Sequence, residues 1–191
     1  MQTTLVVPPE SEPVTLAEAK RHAQLPADAT DDDAYLEHLI RAAREHVEDL
    51  TGRAFVTQTR ETTWDEWPSN SGPIRLPRAP VQSIVSVGYT DALYAPAVLD
   101  PSAYRAVAGT PGRILLPYAG SWPTGSDPVV RYVCGYGEPE AVPESARLCI
   151  AALVAHWYER RLPIVTGAIV AETPFHVRAL MAQLRWGSYP Q

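Results

Sequence analysis

Leu36, Leu39, Ile40, Ala43, Val47 and Leu50 recur at the spacing of one helical face, while Glu37, Arg41, Arg44, Glu45 and Glu48 fall on the other. This pattern predicts a long helix stopped by Gly52, a residue suited to the left-handed C′ position. Glu37 with Arg41 and Arg44 with Glu48 then form i,i+4 ion pairs on the solvent side, each worth only about 0.3–0.5 kcal/mol. Upstream, Thr15-Leu16-Ala17-Glu18 has the form of a capping box and predicts a short helix to about Gln24, stopped by Pro26. The acidic run from Asp28 to Asp33 suits the positive N-terminus of the long helix and supplies its cap. It lacks the spaced ligands and the turn glycine of a calcium loop.

From Ala54 to Gly137 the period changes to two. Val56 to Trp64 and Val81 to Tyr89 are rich in β-branched residues, and 104–107, 113–116 and 129–133 complete an expected antiparallel set. Gly72-Pro73, Ala79-Pro80, Thr110-Pro111-Gly112 and Trp122-Pro123-Thr124-Gly125 punctuate it. Helical signals resume at Pro143. Leu148 to Ala155 is apolar on every face, which marks a fully surrounded helix, and Val177, Leu180, Met181 and Leu184 form the stripe of a last helix after Thr173-Pro174.

The expected architecture is α+β: a helical bundle carrying an inserted antiparallel β domain, a small sandwich or a partly open barrel. Its divisions are an extended N-terminal arm at 1–13, bundle segments at 14–53 and 138–184, the β insertion at 54–137 and a C-terminal arm at 185–191. Hydrophobic residues at 46% and charged residues at 20% fit a chain that buries a real core, and most of the 19 prolines fall in the β block or beside helix starts.

A net charge of −6, with Lys20 the only lysine, argues against gripping nucleic acid by neutralising phosphates. A surface that DNA slides past can be acidic, because repulsion prevents sticking. Residues 1–8 have no basic region and only a short apolar run, so they do not read as a signal peptide, and no apolar stretch is long enough to span a bilayer. The expected location at synthesis is therefore cytoplasmic. Cys134 and Cys149 have no metal-ligand spacing; they read as two buried reduced thiols, with a disulfide between them as the alternative.

Chemistry is sparse. His38 and His46 lie two turns apart on the outer part of the long helix, too far to share one ion. His156 has no nucleophile motif beside it and reads as a core or interface imidazole. Gly-x-Ser-x-Gly, His-Glu-x-x-His and the P-loop pattern are absent, so neither a catalytic site nor a metal site is expected. Trp64, Trp67, Tyr89, Tyr94, Trp122 and Tyr136 either line the inside of a two-layer sheet or form a sugar-binding platform. The segment 162–171, with Leu162, Ile164, Val165, Ile169 and Val170, is apolar and β-branched. It either pairs with a neighbouring subunit or folds over the bundle as a local hairpin. Trp186 and Tyr189 sit in a tail with no further element to pack around them, as partner anchors do.

Several stretches match one family in order and spacing. They are Val14-Thr15-Leu16-Ala17-Glu18-Ala19-Lys20, Leu39 to Glu48 with Thr51-Gly52-Arg53, Leu76-Pro77-Arg78-Ala79-Pro80-Val81, Val133-Cys134-Gly135-Tyr136-Gly137, Val142-Pro143, and His156-Trp157-Tyr158-Glu159-Arg160-Arg161. Together, over about residues 13–186, they resemble the head–tail connector (adaptor) proteins of tailed phages and gene transfer agents. The resemblance implies a non-enzymatic ring subunit, twelvefold, placed under the portal protein at the head–tail neck of the particle. Such a ring extends the DNA channel and docks a tail-side stopper or tail terminator protein. It implies no cofactor, no membrane and no specific DNA contact. It also implies a C-terminal arm that engages the portal, here through Arg185, Trp186 and Tyr189. The alternative is a carbohydrate-binding or tail-associated adhesion module built on the aromatic β block.

Overall fold

A computed structural model describes residues 1–68, 71–118, 120–160 and 175–185. The elements run β1 (Gln2–Val7), α1 (Leu16–His22), α2 (Asp33–Thr51), β2 (Gln58–Thr63), β3 (Ile74–Arg75), β4 (Val81–Asp91), β5 (Pro96–Val98), β6 (Arg105–Val107), β7 (Arg113–Leu115), β8 (Gly125–Cys134), α3 (Glu144–Glu159) and α4 (Phe175–Leu184). They form two compact units, Met1–Glu10 with Val56–Tyr136, and Ser11–Phe55 with Gly137–Gln191. The class is α+β, as the periodicities predict. One expectation changes: the first residues do not stand off as an arm, because Gln2–Val7 pair with β2 as the edge strand of the β unit.

The β unit holds a five-stranded antiparallel sheet in the order β1-β2-β8-β4-β5 and a three-stranded sheet in the order β3-β7-β6. The two sheets do not close into a barrel. Ile74 opposes Ile114 across β3 and β7, and both are fully buried, as are Val87, Val130 and Tyr132 of the larger sheet. Strand β2 is unusual in that its buried face is polar: Gln58, Arg60 and Thr62 point inward. Hydrogen bonds satisfy them. Arg60 Nε donates to Gln58 Oε1 at 3.0 Å, Thr62 Oγ1 meets Tyr132 Oη at 3.2 Å, and Tyr132 Oη donates to the Pro77 carbonyl at 2.7 Å. Burial, partly offset by Thr62, pushes the Tyr132 hydroxyl up to about 12, so it remains a donor. Gly135 closes the sheet at φ 122°, where a Cβ would lie 2.5 Å from the Val56 carbonyl oxygen. Only glycine fits there.

In the helical unit, α1, α2 and α4 all pack on α3. Leu36, Ile40, Ala43 and Val47 of α2 are buried, with Cys149, Ile150, Leu153 and Val154 of α3, and Val177, Met181 and Leu184 of α4. Gly52 ends α2 at φ 68°, the left-handed cap that its position predicts. The capping box at α1 is also present: Thr15 accepts from the Glu18 N–H while Glu18 Oε2 accepts from the Thr15 N–H at 2.8 Å. Arg147 of α3 secures this corner, donating to the Pro13 carbonyl at 3.1 Å and pairing with Glu18 and Glu144.

Three expectations for this unit are revised. Arg44 and Glu48 are not a solvent pair; they are 2% and 0% exposed, while Leu50, expected in the stripe, is 43% exposed. The buried face of α2 is thus rotated toward a charge cluster, in which Arg44 donates to Glu12 at 2.8 Å and to Glu48 at 3.2 Å, and Glu48 Oε1 accepts the Phe55 N–H at 2.8 Å. Asp32, the N-cap of α2, makes no side-chain cap bond, because its carboxylate accepts Tyr158 Oη from α3 at 2.6 Å; Asp33 instead pairs with Lys20 at 2.6 Å. Leu148 is 48% exposed, so α3 is not surrounded on every side. Both cysteines are buried and free. Burial pushes the Cys149 thiol up to about 11, which suits its role as a small hydrophobe.

Replacing Glu48 by alanine strands the buried Arg44 charge and the Phe55 amide, and should cost about 3–5 kcal/mol in a chemical denaturation curve. The capping corner carries a pH signature. Burial alone raises the Glu18 carboxyl, but the Thr15 donors and the Arg147 guanidinium outweigh it and hold it below 4.5. A depressed carboxylate stabilises the fold above its unfolded value, and that contribution is lost as pH falls through the lower folded value. The stability gap between the wild type and Glu18→Gln, about 0.5–1 kcal/mol near neutral pH, should therefore close below pH 4.5. Paired urea titrations across that range measure it.

Candidate partner-binding site

The tail emerges from the end of α4, and its root is built by the Thr51-Gly52-Arg53 stretch. Thr51 Oγ1 donates to the Val47 carbonyl at 2.7 Å, and Gly52 turns the chain in the left-handed region. Arg53 Nε then donates to the carbonyl of Leu184, the last residue of α4. A cation at that position satisfies an otherwise orphaned helix-end carbonyl and complements the negative end of the dipole. Periodicity alone did not reveal this role, because the bond joins residues 131 apart. Beside it a cleft of about 170 Å³ is lined by Leu50, Arg178, Met181, Ala182 and Arg185. The exposure of Leu50 is thus part of a surface at the tail root.

Among the residues expected to bind partners, Arg185 is exposed at this root. Trp186 and Tyr189 lie outside the described residues. The same holds for Leu162, Ile164, Val165, Ile169 and Val170.

The histidines of α2 differ in setting. His38 is exposed on α2 with its Nδ1 2.8 Å from the Arg41 guanidinium. His46 is not on the outer part of the helix; its ring meets Trp157 of α3 edge-on at 5.8 Å. Among the described residues, no group of His, Cys, Asp or Glu is placed to hold a metal ion. No described helix is long and apolar enough to cross a membrane.

The aromatics of the β unit separate into two kinds. Trp67 stacks on Trp122 at 4.7 Å and tilts against Tyr89 at 5.7 Å, and Trp122 Nε1 donates to the Gly72 carbonyl at 3.1 Å. These three rings are half-buried and pack on one another, whereas Tyr94 is 89% exposed at the tip of the β4–β5 hairpin. A second cleft, about 280 Å³, opens in the helical unit between α1 and α3, with Arg21, His22, Arg147 and the exposed Leu148 on its walls.

Comparison with known proteins gives one consistent answer. No curated protein matches the chain. Among solved structures, the chain is similar to one described as "Neck of empty GTA particle computed with C6 symmetry", at 25% identity and TM-score 0.78, covering 100% of this chain and 98% of that one. It is similar to another described as "Neck of native GTA particle computed with C12 symmetry", at 25% identity and TM-score 0.74 with the same coverage. The fold is also that of a chain in "Virion of native gene transfer agent (GTA) particle", at 24% identity and TM-score 0.80, again covering 100% of this chain and 98% of that one. The model of the family described as "Head completion protein" matches residues 14–173, most of the chain, and the chain belongs to that family.

Proposed function

We propose that this chain is a structural subunit of the head–tail neck of a tailed phage or gene transfer agent particle. The observation that carries the reading is the family match over 14–173, joined to full-length likeness with chains from neck structures of sixfold and twelvefold symmetry. In this reading the chain forms a ring under the portal protein, extends the DNA channel and offers a tail-side surface to a stopper or tail terminator protein. The acidic balance of the chain supports a wall that DNA passes without binding. Ring closure requires each copy to present two different, complementary patches. No chemical turnover is involved.

The portal contact is assigned to the C-terminal tail through Arg185, Trp186 and Tyr189, residue types enriched in binding hot spots. Support comes from the anchored root, where Arg53 fixes the Leu184 carbonyl and the cleft beside Arg185 opens. The subunit boundary is assigned to Leu162, Ile164, Val165, Ile169 and Val170, whose apolar run suits burial against a neighbour.

Purified chain should attach to portal-bearing, tailless heads and appear as a ring at the neck in particle images; heads left undecorated would overturn the neck reading. In the same assay a chain truncated after Leu184 should melt cooperatively like the full chain yet fail to attach. Normal attachment by the truncated chain would move the portal contact onto the helical unit. Substituting Ile164 and Val165 by aspartate should leave the monomer folded and prevent ring formation, read by sizing and by neck occupancy.

A further inference from the structure

The outer face of the three-stranded sheet carries three arginines. Ile74 and Ile114 oppose each other and are buried, so their neighbours Arg75 and Arg113, which also oppose each other, stand exposed on the other face. Arg105 of β6 opposes Leu115 and therefore lies on that same face, one diagonal step from Arg113. Residues directly opposite in an antiparallel pair have Cβ atoms about 4.5–5.5 Å apart, and diagonal neighbours are about 7–8 Å apart. Like charges directly opposite destabilise a sheet. Among the described residues no carboxylate pairs with any of these three, whereas Arg44, Arg131 and Arg147 are each held by glutamates.

The same unit exposes the opposite charge at one end of the larger sheet. Where β2 runs out and β8 begins, the Trp64 N–H donates to the Pro128 carbonyl at 3.0 Å and the Asp127 N–H to the Asp65 carbonyl at 3.2 Å, which holds Asp65, Glu66 and Asp127 together. All three are exposed, the Asp65 side chain at 97%. Asp127 accepts the Ser126 hydroxyl at 2.7 Å and Asp65 lies 3.8 Å from the N-terminal amine, but among the described residues no arginine or lysine pairs with the cluster.

We propose that in the assembled ring the arginine face of one copy, Arg75, Arg105 and Arg113, docks on the Asp65, Glu66 and Asp127 end of the β unit of the next copy. The inference rests on the ring reading above. Chains of net charge −6 repel one another, so a ring of them needs opposite charges where copies touch. A cyclic assembly also needs two different patches on each chain, and these two are complementary in sign. A rotation of about 30°, as in a ring of twelve, keeps every β unit at the same height and radius, which sets it beside the β unit of the next copy and favours a partner patch within that unit. Duplex DNA is disfavoured as the occupant. Three arginines neutralise at most about three phosphates, while the acidic balance of the chain repels them.

The test exchanges the charges in the full chain. Arg75→Glu with Arg113→Glu reverses the face, and Asp65→Arg with Glu66→Arg reverses the end; all four side chains are exposed, and each variant is first checked for a wild-type melt. Neck occupancy on portal-bearing, tailless heads is then counted in particle images. Each variant alone should lose its occupancy, because every contact would join like charges. An equimolar mixture of the two should recover it, since alternating copies restore opposite charges at every contact of an even-numbered ring, and a chain carrying all four changes should recover it too. The neutral pair Arg75→Gln with Arg113→Gln, which removes the like-charge repulsion, should melt at or above the wild type yet decorate fewer heads. Wild-type occupancy in any of these three variants alone would overturn the proposal. So would a mixture that stays unattached, or salt-sensitive binding of a labelled DNA duplex by the wild-type chain that is lost on reversing the arginine face. Wild-type chain that leaves heads undecorated would instead overturn the ring reading, and the proposal with it.

Discussion

The carboxylate of Glu48 is the constraint around which the helical unit is organised. It is fully buried on α2, and each of its oxygens has a defined partner, the Arg44 guanidinium on the same helix and the Phe55 amide where the chain leaves the unit. Arg44 extends the link to Glu12, ahead of α1. Burial disfavours the Arg44 charge, but Glu48 and Glu12 outweigh it and hold the guanidinium above its ordinary value. Glu12 shows the opposite balance: desolvation exceeds the help from Arg44 and raises its carboxyl. A buried cluster of this kind contributes less to net stability than a well-packed apolar core of equal volume. What it supplies is position, because only one arrangement of segments 12, 44–48 and 55 satisfies every charge.

Much of this fold could be read from local signals, and the failures share a cause. Thr15 with Glu18 and Gly52 were legible because a cap depends on residues within four positions of one another. Arg44 and Glu48 were misplaced because charge and i,i+4 spacing describe a solvated pair unless a third residue, here Glu12, is known to lie across from them. The same holds for Asp32 and Asp33, whose carboxylates serve Tyr158 and Lys20 in place of the helix N-terminus. Strand β2 carries polar residues on its buried face, so alternation marked it as a strand without showing which side faces the core. The short strands β3 and β5 gave no period to detect, and β1 was read as an arm because Pro8 and Pro9 follow it closely.

The candidate site was legible to a smaller degree. The expectation for Arg185 rests on the family resemblance and on residue type, but nothing local to Arg53 predicts a bond to the Leu184 carbonyl, and nothing in the α2 stripe predicts that Leu50 would face outward beside it. Sites of assembly differ from catalytic sites in this respect. Catalysis needs particular side-chain chemistries at short range, and those leave motifs. Assembly needs exposed apolar or aromatic surface held in a fixed place, and its signal appears only when the fold shows which such residues remain uncovered.

The anchored root of the tail has an energetic consequence for partner binding. A segment that is ordered on binding loses conformational freedom, and each residue fixed costs about 1–2 kcal/mol of backbone entropy. Arg53 holds the Leu184 carbonyl, and Thr51 and Gly52 fix the direction from which Arg53 reaches it, so Arg185 begins from a defined position in the free chain. A partner contact of the kind proposed at Arg185 would then start from a fixed helix end, and the helices need not rearrange. Substitution of Gly52 would therefore act at a distance, since a residue strained at φ 68° would shift Arg53 and with it the start of the tail.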